Sequence, residues 1–101
     1  MKKIIFEQYI AAICNLYNIS KEQLFEKTKT KEIVNARYLL YYLCSKRNMG
    51  TAELGRYLDE IGSGVNATTI HYAIKVVTSR VDEDRDYWAV VKRISESVNV
   101  A

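Results

Sequence analysis

The chain has 101 residues, of which 49% are hydrophobic and 27% charged, with a formal net charge of +3 and no proline. A chain of this length is expected to form one domain, residues 1–101, large enough to bury a little over about 60% of the surface its unfolded form exposes. Three classes of reading are limited at once: no apolar run approaches the length of about 18 residues that crosses a membrane, Glu7 and Gln8 interrupt the apolar start too soon for a signal peptide, and the charge is too modest to establish a nucleic-acid partner by itself. A cytoplasmic protein without membrane contact is the expectation.

The absence of proline and the long runs without turn residues predict an all-α protein of about six helices. The first is expected over Lys2 to Tyr17, where Phe6, Ile10, Ile13 and Tyr17 recur at helical spacing. Asn18-Ile19 ends it, and Ser20-Lys21-Glu22-Gln23 has the form of a capping box that starts a short second helix, Ser20 to about Glu26. Lys27-Thr28-Lys29-Thr30-Lys31 then alternates cations with hydroxyls and reads as a surface loop, with Thr30 placed to cap the next helix. Three lysines beside a helix N-terminus form a candidate phosphate clamp, against which stands the plain reading of a solvated lysine-rich loop.

The third helix, about Lys31 to Lys46, carries Ile33, Ala36, Leu40, Leu43 and Cys44 on one face and Val34, Tyr38 and Tyr41 beside it. So wide an apolar arc predicts the central helix of the core, with Arg37 on its polar side near the lysine loop. Tyr38, Tyr41 and Tyr42 read as core and rim packing in preference to base stacking. Gly50 is expected to be a left-handed cap.

From Thr51 to Val77 the pattern is a short helix, a glycine-bearing turn and a longer helix, a helix-turn-helix spanning about residues 51–80. Leu54, Leu58 and Ile61 line one face of the first helix, and Ile70, Ile74, Val77 and Val81 one face of the second; Gly62 and Gly64 permit the turn. The opposite face of the second helix begins Asn66, Ala67, Thr68 and continues through His71 and Tyr72 to Lys75. Small hydrogen-bonding groups ending in a cation suit entry into a DNA major groove; an ordinary helical hairpin is the competing reading.

Asp82-Glu83-Asp84 is expected at the start of a final helix, where the dipole favours negative charge. Tyr87, Val91, Ile94 and Val98 form its inward stripe, Trp88 is expected as a core anchor, and Ser97 to Ala101 should fray. Cys14 and Cys44 fall on different helices with one histidine in the chain, so reduced, buried thiols and no metal site are expected. Charge is uneven: Lys21 to Arg47 carries seven cations against three anions, whereas Arg80 to Ala101 carries four against five.

Several signposts follow one another in a telling order: the basic loop, Ala36-Arg37 in a helix ending Tyr42-Leu43, Glu53-Leu54-Gly55, then Gly64-Val65-Asn66-Ala67-Thr68-Thr69-Ile70 with Ala73 and Lys75 behind it. From about Ile10 to Val98 the chain thereby resembles the C-terminal, DNA-binding domain of the bacterial replication initiator DnaA, a helical domain with a Trp-repressor-like helix-turn-helix. In that family the last two motifs read E-I-G and G-R-D-H-T-T-V. The resemblance implies base contacts from Asn66, Ala67, Thr68 and Thr69 in the major groove and from Lys29 at the place of a minor-groove arginine. It implies backbone contacts from Lys27, Lys31, Arg37 and Lys75, and from Thr51 and Ala52 at the start of the preceding helix.

The departures are chemical. Val65 stands for arginine, Asn66 for aspartate and Ala67 for histidine, about three residues are added around Asp59 to Ser63, and Lys29 lacks the planar fork of arginine. Backbone binding with an altered sequence preference is implied, since the Ala67 methyl meets a thymine methyl but cannot hydrogen-bond a base. The chain has no GxxxxGK[ST] phosphate loop, so no nucleotide and no other cofactor is expected.

The leading expectation is double-stranded DNA binding in replication or transcription control, with five cations (Lys27, Lys29, Lys31, Arg37, Lys75) on phosphates and a slope of log K against log salt of about −4 to −5. The alternative is a protein-interaction module that kept the fold and lost DNA, with Tyr72 and His71 as the outward anchor. An enzyme is not expected, because His71 has no serine, cysteine or carboxylate arranged as a triad and the acidic run is adjacent in sequence, not facing. Without a heptad seam, a monomer is expected.

Overall fold

A computed structural model describes residues 2–98, and the described residues form six helices and no strand. These are α1 (Lys2–Tyr17), α2 (Lys21–Leu24), α3 (Lys31–Ser45), α4 (Thr51–Glu60), α5 (Ala67–Glu83) and α6 (Arg85–Ser97). The all-α class and the number of helices agree with the sequence. None of the helices is long and apolar enough to cross a membrane.

Helix α3 is central because its second half is apolar all round: Leu39, Leu40, Tyr41, Tyr42, Leu43 and Cys44 are consecutive and all buried. A helix without a polar face has to be covered on every side. Helices α1 and α5 supply most of that cover, α2 and α4 close its flanks, and α6 joins α1 to α5. Tyr9, Ile10 and Ile13 from α1, Ile70, Ala73 and Val77 from α5, and Val91 and Ile94 from α6 complete the core. Burial pushes the Cys44 thiol up to about 12, so it stays protonated and inert, whereas Cys14 is half-buried; both are free.

Three helices end with one device. After α1, α3 and α4 the chain steps through a left-handed residue, Asn18 (φ 55°), Asn48 (φ 64°) and Gly62 (φ 75°) respectively. Around each, two amides fold back onto the preceding turn: Ile19 to Cys14 O and Asn18 to Asn15 O, Met49 to Cys44 O and Asn48 to Ser45 O, Ser63 to Leu58 O and Gly62 to Asp59 O. This is the Schellman pattern, which satisfies carbonyls that a helix end otherwise leaves free. It corrects the expectation for Gly50, whose backbone is extended (φ −72°, ψ 165°) and which precedes α4 as its N-cap. Asparagine tolerates the left-handed region better than other non-glycine residues, so Asn48 takes the cap two residues earlier.

Other corrections follow from which surfaces find cover. Trp88 is 45% exposed, with Lys92 Nζ 5.0 Å from its ring centre, and is no core anchor. Ile61 follows the last turn of α4 and is 36% exposed, so the apolar face of that helix rests on Leu54 and Leu58. Of the acidic run, only Asp84 serves the final helix: its Oδ1 accepts from the amides of Asp86 (3.0 Å) and Tyr87 (3.1 Å), whereas Asp82 and Glu83 belong to the last turn of α5. Val98 is 3% exposed and is pinned by Arg47, whose Nη2 donates to the carbonyls of Ser95 and Val98. The expected fraying therefore does not begin at Ser97; residues 99–101 lie outside the described residues.

Candidate nucleic-acid interface

The lysine loop owes its shape to its threonines and to Arg37. The Thr28 amide donates to Glu26 O at 2.8 Å, the Thr30 amide to Thr28 Oγ1 at 3.2 Å, and the two hydroxyls share a hydrogen bond of 2.9 Å. From α3, the Arg37 guanidinium reaches across, Nη1 to Glu26 O at 2.9 Å and Nη2 to Thr28 O at 3.0 Å. The alternation in the sequence is only partly kept in space, since Thr30 is exposed like the lysines. Thr28 and Arg37 are half-buried inside the loop, and Lys27, Lys29 and Lys31 project from it, exposed.

Two expectations change here. Thr30 occupies the N-cap of α3 without a side-chain cap bond, because its hydroxyl is engaged by Thr28. Arg37 was expected on a phosphate, and the structure gives it an internal task; it is first a strut for the loop. Arg37→Lys keeps the charge and loses the two-pronged grip, and is expected to cost about 1–2 kcal/mol. Hydrogen exchange at the Thr28 and Thr30 amides should quicken while α5 stays protected, and unchanged loop exchange would refute the strut.

Helix α5 starts where the HTH turn delivers it. Gly62 supplies the left-handed step, and a Cβ at Gly64 would meet the carboxylate of Asp59, an exposed side chain that can turn aside. Asn66 is the N-cap of α5, its Oδ1 accepting from the Thr69 amide at 2.9 Å and from the Thr69 hydroxyl at 3.1 Å. A single side-chain oxygen therefore closes the helix end and ties up the Thr69 hydroxyl. Of the four residues expected to read bases in the major groove, Ala67 and Thr68 are exposed and unengaged, Asn66 keeps only its amide NH2 free, and Thr69 is half-buried and turned to the cap.

Between the lysine loop and the HTH turn lies a cleft of about 280 Å³ that brings Lys27, Lys29, Arg37 and Thr69 together with Ser63, Gly64 and Val65. Its floor is apolar and aromatic, from Phe25, Val34, Tyr38 and Tyr41. Burial pushes the Tyr41 hydroxyl up, partly opposed by Arg37, so it remains a neutral phenol. Lys75 is exposed two turns along α5, and Thr51 (half-buried) and Ala52 (exposed) open α4; none of the three lines this cleft. Sequence reasoning missed Thr28 as the pin of the loop and Tyr38 as a wall of the cleft. The regular lysine–threonine alternation was the one available signal for Thr28.

A short helix, a Schellman turn and a second helix with an exposed first turn, packed on a central helix beside a basic loop, define a helix-turn-helix domain. The chain belongs to the bacterial DnaA protein helix-turn-helix family, whose model matches residues 6–77. It is similar to the chromosomal replication initiator protein DnaA of Thermodesulfovibrio yellowstonii, 30% identical over 96% of this chain and 22% of that protein. The protein of the same name from Bacteroides thetaiotaomicron is 24% identical over 92% of this chain and 19% of its own length. That from Corynebacterium jeikeium is 25% identical over 95% and 16% respectively. The chain thus spans about a fifth of the length of these relatives.

Proposed function

We propose that this chain is a non-enzymatic, double-stranded DNA-binding domain whose sequence preference differs from that of the DnaA proteins it resembles. In this reading α5 enters the major groove with Thr68 and Ala67 foremost, Lys29 reaches the neighbouring minor groove, and Lys27, Lys31 and Lys75 hold phosphates. Thr51 and Ala52 add contacts at the start of α4, and the role in the cell is replication or transcription control. The observation that carries it is the pinned loop: two threonines and an arginine are committed to holding three lysines outward beside the exposed start of a recognition-type helix. An unordered lysine-rich loop needs no such framework.

With Arg37 engaged internally, four lysines remain to displace counterions, Lys29 from the minor groove and the other three at phosphates, so the slope of log K against log salt is expected near −3.6, smaller in magnitude than the figure that counts Arg37. Fluorescence anisotropy on a random duplex and on a duplex bearing the DnaA recognition box measures it. A slope of about −3 to −4 on both, with no strong preference for the box, supports the reading. A slope near zero, or no binding to either duplex at low salt, sinks it in favour of a protein-interaction module.

A further inference from the structure

The first turn of α5 offers little base-reading chemistry once its capping bonds are counted: Asn66 Oδ1 and the Thr69 hydroxyl engage each other, and Ala67 presents a methyl. One turn further on stands Tyr72, 59% exposed. Its ring meets that of Tyr38 edge-on, at 86° with centroids 6.1 Å apart, an arrangement aromatic pairs favour and one that restrains the phenol to a single side of the helix. Tyr72 comes four residues after Thr68, so the two side chains are neighbours on one face. Tyr38 also walls the cleft that contains Lys27 and Lys29, which sets Tyr72 on the flank of α5 toward the lysine loop. A duplex held by both Thr68 and that loop runs past Tyr72.

We infer that Tyr72 is a base-contacting, specificity-determining residue of this domain. Its phenol donates to an acceptor on a major-groove base edge (guanine O6 or N7, adenine N7 or thymine O4) one helical turn beyond the contact of Thr68. Base reading is thereby displaced along α5, away from the first turn. The inference rests on the duplex-DNA reading above and adds where its preference comes from.

Selection from random duplexes, followed by anisotropy titration of the selected duplex and its single-base-pair variants, tests it with the native chain, Tyr72→Phe and Tyr72→Ala. Tyr72→Phe keeps the ring and its contact with Tyr38 and removes only the hydroxyl. The native chain should discriminate at one base pair by roughly 5- to 30-fold, and both substitutions should abolish that discrimination while leaving the salt slope unchanged. Preference unaltered by either substitution overturns the inference, as does uniform weakening over all sequences, which would mark a phosphate contact. If the native chain binds no duplex at all, the DNA-binding reading falls and the inference with it, so the two failures are told apart.

Discussion

Replacing Lys27, Lys29 and Lys31 together by alanine is expected to weaken duplex binding by two to three orders of magnitude at about 0.1 M salt and to flatten the salt slope by about 2.7. Each lysine that neutralises a phosphate releases about 0.9 of a counterion, worth nearly a factor of ten per contact when salt is tenfold below 1 M. The fold should survive, because the loop is held by Thr28, Thr30 and Arg37 and the three lysine side chains are exposed. Arg85, Lys92 and Arg93 are exposed on α6, the basic residues of the helix that closes the far end of α5. Their joint replacement removes the same charge and should change the slope little. Equal losses from the two triple variants would mean that net charge alone attracts DNA, and the interface would have to be abandoned.

The second large effect is on stability and separates two residues of one apolar pattern. Leu58 and Ile61 share a face by spacing, yet Leu58 is fully buried and Ile61 is 36% exposed. Leu58→Ala should cost about 3 kcal/mol, within the range of roughly 2–5 for buried leucines, and Ile61→Ala about 1 kcal/mol or less. For a domain of this size, each kcal/mol lowers the melting temperature by about 4–8 °C. Thermal melts should therefore place Leu58→Ala about 12–24 °C below the native chain and Ile61→Ala no more than about 8 °C below it. Equal shifts would contradict the end of α4 described here. Because Leu58 O also receives the Ser63 amide that closes the turn, the side chain and the cap hold one end of the recognition unit together.

The parts of the fold legible in the sequence are those governed by near neighbours. Helix α1 begins and ends where its apolar spacing and Asn18 place it. The capping box at Ser20 forms as expected, Gln23 N donating to Ser20 Oγ at 3.1 Å and Ser20 N to Gln23 Oε1 at 2.8 Å. The wide apolar arc of α3 marked it as central, since a helix apolar nearly all round has no solvent face to keep. The order of the basic loop, Glu53-Leu54-Gly55 and Gly64 to Ile70 pointed to the family that the matched region bears out.

Misreadings arose where a residue had more than one local role open to it. Gly50 and Asn48 are both able to end a helix; the chain took Asn48 for the left-handed step and left Gly50 extended ahead of α4. Asp82, Glu83 and Asp84 all suit a helix start, but α5 runs on through Glu83 before Asp84 opens α6. Asn66 and Thr69 carry hydrogen-bonding groups suited to a base edge, and capping the helix engages them first.

The sequence by itself determined the helical class, the identity of the central helix, the family and the alternation of the lysine loop, because periodicity, capping and composition act within a few residues of one another. Only the tertiary structure decided that Arg37 braces the loop from α3, that Trp88 and Ile61 stay at the surface, that Arg47 holds the end of α6, and that Tyr72 leans on Tyr38 beside the cleft. Each of these depends on which distant element covers a given face or stands within reach of a given donor. Spacing along a single helix carries no record of that.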